Sequence, residues 1–345
     1  MRIKSYFKKA LSALGLLATL NSPSMIIDFP IDDWHQPSLQ LAYDKAKDGD
    51  TIHFRRVSGN RIYSGTLVAD EDKTVTIDAD MFGWRVDTPI EVNAGTLTIM
   101  NHPLFYPIGR TIDVIGKGNL LLDSVHFMWG DGVNISTSGI VELRDCWATQ
   151  GGSPIVLEKL VNGGKLVVSR CDFQQQSDSI VFGEEEPNAN YTIQVNNNSF
   201  YDVNSPFKFT SQLKTTTGLI ANNTITQYID YARNTDYAKG VKIISNNYYN
   251  LLQSGFGELE QSLLSESLGD IGNNYSFDPR FEDGEGNLSA DSELIDRGVF
   301  IDGLFYNGTA PDISRVESPY TRGTTPEPTT ITLLGLAGIL NRRKR

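Results

Sequence analysis

The chain has 345 residues, 39% of them hydrophobic, which suffices for one large domain or two small ones with a sizeable core. Its formal net charge is −12, and no Lys/Arg cluster lies within the body of the chain, so the composition argues against a nucleic-acid partner. Short apolar runs separated by turn residues predominate over long helical stripes, which indicates a structure built from short strands.

The first 24 residues have the pattern of a secretion signal. Its positive start contains Arg2, Lys4, Lys8 and Lys9. The apolar run over 10–20 is too short to span a bilayer comfortably, and small residues at Ser22 and Ser24 suit cleavage before Met25. An uncleaved anchor or an amphipathic leading helix is the alternative interpretation. We favour export, with residues 1–24 as the signal peptide.

A short amphipathic helix is predicted over 38–46, with Ser38 as its N-cap. The following residues, 47–52, turn into the first strand. A helix at this position would cover the open edge of the first strand layer, which otherwise invites aggregation.

A repeat of 21–27 residues runs through the body of the chain. Each block has an apolar first position, and the blocks start at Ile77, Ile99, Leu122, Leu143, Val168, Val195, Ile220, Ile244 and Ile271. This period fits one coil of a β-helix, with three short strands and the turns between them, and coils stacked about 4.8 Å apart bury one continuous core. Parallel crossovers are strongly biased to the right hand. The sequence therefore predicts an all-β, right-handed parallel β-helix solenoid with a short N-terminal capping helix.

The fourth position of each block forms a column along the solenoid. In the late coils we place Asn198, Asn223, Asn247 and Asn274 there, as a ladder of hydrogen-bonded amides. In two earlier, adjacent coils the same column contains Cys146 and Cys171, the chain's two cysteines. Register places their Cα atoms about 4.8 Å apart, so a disulfide and a pair of stacked inward thiols both fit.

The helix followed by 46–52, and then the strand at 63–67, resembles the entry of pectin-lyase-like right-handed β-helix proteins. Residues 277–281 and 292–298 resemble the closing segment of bacterial β-helix proteins. The resemblance covers about 36–315. We assign 25–315 to the β-helix domain with its end caps, and 316–325 to a polar linker. The superfamily includes lyases, hydrolases, esterases and many non-enzymes, so the resemblance implies a fold without choosing an activity.

The sequence contains only part of the residue set that each of two hydrolytic chemistries requires. Gly130-Asp131-Gly132 echoes the polygalacturonase pattern, but the next coil has Gly151-Gly152-Ser153-Pro154 where a second acidic pair is needed. An esterase of the pectin-esterase type needs paired aspartates with flanking glutamines, and the run 174–176 near Asp178 matches that set in composition alone. The four histidines and the run 184–186 have no metal-ligand spacing, so no metal site is predicted.

A uronate lyase needs a base and often Ca²⁺ to neutralise the sugar carboxylate. Aligning the strand after each turn predicts one outward face with Asn134, Val156, Val181, Lys208 and Arg233. Two residues before those strands lie Asp131, Ser153, Asp178, Ser205 and Asp230. The candidate catalytic residues are thus Lys208, Asp178 and Asp131, and the candidate binding residues are Asn134, Asp230 and Arg233. A solvated lysine among turn-forming aspartates is the alternative. No cofactor is predicted except Ca²⁺ for a lyase.

The competing class is a non-catalytic surface protein that binds or organises polysaccharide, and we favour it because a complete catalytic set is missing from the sequence. A lyase or a glycoside hydrolase is the alternative. The aromatic residues able to stack on sugar rings, where they are exposed, are Trp84, Trp129, Trp147, Tyr201, Tyr228 and Tyr231.

The last 20 residues contain Pro326-Glu327-Pro328, an apolar stretch over 331–340 and the cations of 342–345. The stretch is too short for a stable span, and the terminal cations hold its end in the cytoplasm. This segment, 326–345, resembles the PEP-CTERM sorting tail of Gram-negative bacteria. The resemblance implies an exosortase-type partner, a transient inner-membrane association and delivery to the cell surface or an extracellular matrix. An ordinary apolar helix with a basic end is the alternative.

Overall fold

The structure is a computed structural model. It describes residues 39–53, 61–63, 66–78, 84–86, 89–101, 104–105, 112–128, 132–228, 240–251, 271–272, 274–275, 277–282, 287–301 and 306–319. The predicted signal peptide, the predicted N-cap Ser38 and the predicted sorting tail lie outside these residues.

The chain forms a parallel β-solenoid with three sheets, as the repeat predicts. The first sheet contains, in order, Thr51–His53, Thr74–Asp78, Thr96–Met100, Asn119–Asp123, Ile140–Arg144, Lys165–Ser169, Thr192–Asn196, Thr217–Ala221, Val241–Ile244 and Ile271–Gly272. The second contains Arg61–Tyr63, Trp84–Val86, Leu104–Phe105, His126–Met128, Trp147–Gly151, Asp172–Gln176, Ser199–Val203, Thr224–Tyr228 and Asn247–Leu251. The third contains Leu67–Ala69, Ile90–Val92, Ile112–Gly116, Val133–Thr137, Ile155–Leu160, Asp178–Glu185 and Ser205–Phe209.

The core lies between the three sheets and consists of side chains stacked from coil to coil. In the first sheet, Leu143 pairs with Val168 and Val168 pairs with Val195, and all three are buried. Aromatic side chains stack in the same way, with ring centroids 4.9 Å apart for Phe173 and Phe200. Because each coil exposes one inward face, this stacking buries a continuous apolar column that no single coil could form.

A tight bend joins the first sheet to the second in successive coils. Its first residue has a left-handed backbone conformation, with φ between 50° and 67°, in Asn101, Ser124, Asp145, Arg170, Asn197, Asn222 and Ser245. Asn and Asp adopt this conformation more readily than most residues, which explains their frequency at these positions. In the bends from Ser124 onwards, the next residue points into the core and forms the predicted column.

The predicted asparagine ladder is present in the late coils, with one correction. Asn198 Nδ2 donates to Asn223 Oδ1 at 2.9 Å, and Asn223 Nδ2 donates to Asn246 Oδ1 at 2.8 Å. Asn246 in turn donates to Asn274 Oδ1 at 3.2 Å. The prediction that Asn247 belongs to the ladder is wrong, because Ile220 pairs with Ile243 rather than Ile244 and the column therefore passes through Asn246.

The N-terminal helix, Leu39–Lys45, covers the first coil as predicted. Leu39, Ala42 and Tyr43 are buried against the core. The side chain of Gln40 accepts from the Val68 N–H at 2.6 Å and donates to the Val68 carbonyl at 3.1 Å. These main-chain groups belong to the first strand of the third sheet, so the helix satisfies part of an edge that would otherwise be open.

The C-terminal segment packs back along the outside of the solenoid. We call residues 287–319 the strap; its described parts are 287–301 and 306–319. Thr224 Oγ1 donates to the Ile313 carbonyl at 2.6 Å, and Asn197 Nδ2 donates to the Ser314 carbonyl at 3.1 Å. Asn222 binds Val299 through both its amide nitrogen and its amide oxygen. The strap thus lies over the bends between the first and second sheets.

The strap contains one buried carboxyl group, that of Asp312, and one half-buried carboxyl group, that of Glu317. Burial raises the pKa of Asp312 to about 6, despite hydrogen bonds from the N–H groups of Asp296 and Ser318. Burial, followed by the nearby charge of Asp312, raises the pKa of Glu317 to about 7. Both groups are therefore easier to protonate in the folded strap than in an unfolded chain.

Candidate functional site

The outer face of the third sheet brings several predicted site residues into one row. Asn134 pairs with Val156, Val156 with Val181, and Val181 with Lys208. The residues on either side of each of these positions are buried in the core, so the row faces outward. This is the row that alignment of the strands predicts.

The row continues in the N-terminal direction through two carboxylates that the sequence reasoning missed. Glu91 pairs with Asp113, and Asp113 pairs with Asn134. The amide nitrogen of Asn134 donates to Asp113 Oδ1 at 3.0 Å. The detectable signal was the alternation of Ile90-Glu91-Val92 and Ile112-Asp113-Val114, which matches Val133-Asn134-Ile135.

A polar cleft opens over this part of the row. It has a volume of about 410 Å³ and is lined by Glu91, Asp113, Ile115, Asn134, Ser136 and Glu158. Three of these six residues carry carboxylates, so the cleft repels polyanions unless cations accompany them. Its amide, hydroxyl and carboxylate oxygens are well suited to hydrogen-bonding sugar hydroxyl groups.

Lys208 and Asp178 form an ion pair at another position of the same sheet. Lys208 Nζ lies 2.8 Å from Asp178 Oδ2, and the lysine side chain is 34% exposed while that of Asp178 is 11% exposed. Lys208 lies three strands from Asn134, a separation of about 14 Å. The structure therefore joins the predicted base to one predicted aspartate but separates both from Asn134.

The other candidate site residues fall outside the described residues. These are Asp131, Asp230 and Arg233, together with Trp129 and Tyr231. Within the described ranges, no group of three or more His, Cys, Asp or Glu side chains converges in a geometry that could hold a metal ion.

The acidic run 184–186 and the glutamine run 174–176 include residues with structural contacts. The carboxylate of Glu185 accepts hydrogen bonds from the main-chain N–H groups of Lys214, Thr215 and Thr216, so it anchors a neighbouring turn. Gln174 donates to Asp172 Oδ2 at 2.8 Å on the second sheet. These contacts give both residues a role in fixing local structure.

Cys146 and Cys171 lie in adjacent coils, and both are free, buried thiols in this structure. Their neighbours pair directly, Arg144 with Ser169 and Trp147 with Asp172. Burial, and then the hydrogen bond to Cys171, raises the pKa of Cys146 well above its ordinary value. A protonated, buried thiol is a poor nucleophile, so neither a catalytic nor a metal-binding role is favoured here. The disulfide stays a prediction for the oxidised protein.

The aromatic residues on the second sheet differ in exposure. The guanidinium carbon of Arg315, in the strap, lies 4.7 Å from the ring centroid of Trp147, and an Arg315 nitrogen is 3.7 Å from Asp172 Oδ2. Trp147 is therefore covered on that side by the chain itself. Tyr201, by contrast, is 42% exposed on the same sheet.

Comparisons with known proteins show a likeness of fold. No protein-family model matches the sequence, and no match is found among the curated proteins. Among the solved structures, the chain is similar to a protein described as pectate lyase Pel9A, with 15% sequence identity and a TM-score of 0.34. The match covers 81% of this chain and 91% of that one. The fold assignment rests on the three parallel sheets rather than on this superposition.

None of the helices within the described ranges is long and apolar enough to cross a bilayer.

Proposed function

We propose that this chain is an exported bacterial protein that binds or organises polysaccharide at the cell surface or in an extracellular matrix. The observation that carries the proposal is the polar cleft on the outer face of the third sheet, where hydrogen-bonding side chains line an open, rigid surface. Sites on packed strands hold their side chains in fixed positions, which suits a ligand with repeating hydroxyl groups.

The ion pair between Lys208, the candidate base, and Asp178 favours binding over catalysis. In the ion pair with Asp178, Lys208 is an ammonium group, which has no lone pair and must lose a proton before it can act as a base. Glu158, the cleft residue nearest to this pair in strand order, lies on the strand next to that of Asp178 and two strands from that of Lys208. A polymer lying across the sheet could contact both regions, but the described residues bring no acid and base to one bond.

A polysaccharide lyase is the second candidate, and the observation that favours it is the position of Lys208 on the same outer face as Asp113 and Asn134. Such an enzyme would use Ca²⁺ to neutralise a uronate carboxylate. The carboxylates of the cleft do not converge as a metal-binding group, so the described residues do not fit a resident cation.

The proposed location rests on the two ends of the chain. The N-terminal pattern of cations and short apolar run predicts export, and the 326–345 segment resembles a sorting tail read by an exosortase-type enzyme. Replacing Pro326, Glu327 and Pro328 by alanine should leave export intact but retain the protein at the inner membrane. Fractionation of cells that express the two forms tests this, and an unchanged distribution would remove the sorting proposal.

The binding proposal is tested with the full-length chain and a panel of neutral and acidic polysaccharides. Affinity electrophoresis reports binding, while unsaturated-uronate absorbance and new reducing ends, with and without Ca²⁺, report cleavage. We expect binding that weakens in Asn134→Ala and Asp113→Asn, with no cleavage product. Product that disappears in Lys208→Ala would establish the lyase instead. A panel with neither binding nor product would refute both functions.

A further inference from the structure

A second outward row lies on the second sheet and contains two tyrosines. On the second sheet, Gln174 pairs with Tyr201, Tyr201 with Thr226, and Thr226 with Tyr249. The neighbouring positions Phe200, Ile225 and Tyr248 point into the core, so the row faces outward. Met128 and Thr149 extend it towards the N-terminus. We call the six residues from Met128 to Tyr249 the tyrosine row.

The tyrosine row is accessible in the part of the chain that the structure describes. Tyr201 is 42% exposed, Tyr249 and Gln174 are half-buried, and Thr226 is buried between the two tyrosines. The six positions cover five coil steps, a length of about 24 Å along the solenoid. A site of this length accommodates several sugar units of an extended chain.

The strap forms one boundary of this surface. The adjacent outward row of the same sheet is covered: Arg315 lies over Trp147, Ile313 accepts from Thr224, and Phe277 binds Asn247 just before the strap begins. Only one of the two rows is therefore left open. An open row beside a covered one makes a shallow trough that runs parallel to the solenoid axis.

We propose that the tyrosine row binds an uncharged, extended polysaccharide, with its chain parallel to the solenoid axis. This inference rests on the proposed polysaccharide-binding function and names a second site and a ligand class for it. Tyr201 and Tyr249 lie two coils apart, about 10 Å, which is close to the length of one disaccharide in an extended glycan. The two rings are thus placed to contact alternate sugar units, while Thr226 and Gln174 supply hydrogen-bonding groups.

The charge of the protein selects the class of ligand. None of the six residues of the row carries a formal charge, and the chain as a whole has a net charge of −12. An anionic polymer would approach an acidic protein without a cation in the row to offset the repulsion. A neutral glycan meets no such barrier, and the apolar ring faces match the C–H faces of its sugars.

The experiment measures glycan binding by four forms of the full-length chain: wild type, Tyr201→Ala, Tyr249→Ala and the double variant. Truncating one ring at such a contact should weaken binding about tenfold, and the double variant should lose about a hundredfold because the two residues are too far apart to share a contact. Tyr306→Ala is the matched control, because Tyr306 is 41% exposed and lies in the strap rather than on the row. Circular dichroism confirms that each variant remains folded.

The outcomes separate this inference from the function on which it depends. Neutral-glycan binding that falls in the tyrosine variants, but not in Tyr306→Ala, supports the row. Binding that is unchanged in the double variant overturns the row and leaves the polysaccharide function standing. Binding restricted to anionic glycans also overturns it. Wild-type protein that binds no glycan at all refutes the function and the row together.

Discussion

Replacing Asn223 should show most clearly how much the asparagine ladder contributes to the free energy of unfolding. Its side-chain oxygen accepts from both the main-chain N–H and the Nδ2 of Asn198, each at 2.9 Å. Its side-chain nitrogen donates to Asn246 and to the Val195 carbonyl, at 2.8 Å and 3.0 Å. All of these contacts are buried, so no water can replace a lost partner without entering the core.

Replacing Asn223 by alanine should therefore cost about 3–5 kcal/mol of unfolding free energy. A buried polar group without its partner costs about 1–3 kcal/mol, and the Asn198 N–H together with one Asn198 amide hydrogen lose theirs at once. Two such groups together cost about 2–6 kcal/mol, and we expect a value in the middle of that range.

Urea unfolding followed by circular dichroism measures the effect. Asn190→Ala is the matched control: Asn190 is exposed, and its main-chain N–H, which the substitution retains, makes the contact to Asn162. That variant should stay within about 0.5 kcal/mol of wild type. An Asn223→Ala protein that loses less than about 1 kcal/mol would refute the claim that the ladder stabilises the solenoid.

Three further predictions concern the strap and the core. The folded pKa of Glu317 is raised to about 7, so its stabilising contribution is complete below about pH 4.5 and is lost as the pH rises through 7. Strap amides, corrected for intrinsic exchange, should therefore become less protected against hydrogen exchange from pH 5 to 8. This loss of protection should be less steep in Glu317→Gln. An identical slope in both proteins would contradict this. Arg315→Ala should uncover Trp147 and increase the quenching of its fluorescence by acrylamide. This increase should vanish when Trp147 is also replaced by Phe. Quenching that is unchanged in Arg315→Ala would contradict the stacked geometry. Phe200→Ala should cost about 3–5 kcal/mol in urea unfolding, whereas alanine at the next, exposed position should cost under about 0.5 kcal/mol; equal costs would contradict the inward-outward assignment.

The solenoid could be predicted from the sequence because each coil imposes the same structural requirements on its residues. Each coil needs an inward apolar residue, a left-handed bend and a column residue in the same order, and this order leaves a readable period. The single register error arose where the signal is degenerate. Two isoleucines, Ile243 and Ile244, precede Asn246 and Asn247, so either asparagine satisfies the pattern and only strand pairing decides.

The strap's contacts and the covered tryptophan could not be predicted in the same way. The strap bonds to residues 77 to 145 positions earlier in the chain, as in the contacts of Val299 with Asn222 and of Arg315 with Arg170. These contacts follow no period, so no alignment of repeats reveals them. The strap covers one side of Trp147, and the repeat does not reveal this cover. The sequence therefore left Trp147 among the candidate sugar-binding residues.

The candidate site was predicted in part. The row from Asn134 to Lys208 follows from strand alignment, and so does the distance between its ends, because the coils stack at a regular spacing. Glu91 and Asp113 were missed although their strands alternate in the same way. Their coils precede the strand from which the alignment was started, so the acidic end of the row was left out.

The path of the strap determines how the molecule responds to a mechanical load. Residue 319 lies beside the middle coils rather than at the end of the stack, because Ser314 and Arg315 bind at Asn197 and Arg170. We expect a pull applied there towards the N-terminal end of the solenoid to load the strap's hydrogen bonds in shear. The terminal coil is not peeled away first. We therefore expect the strap to keep tension at residue 319 from unwinding the coils one by one.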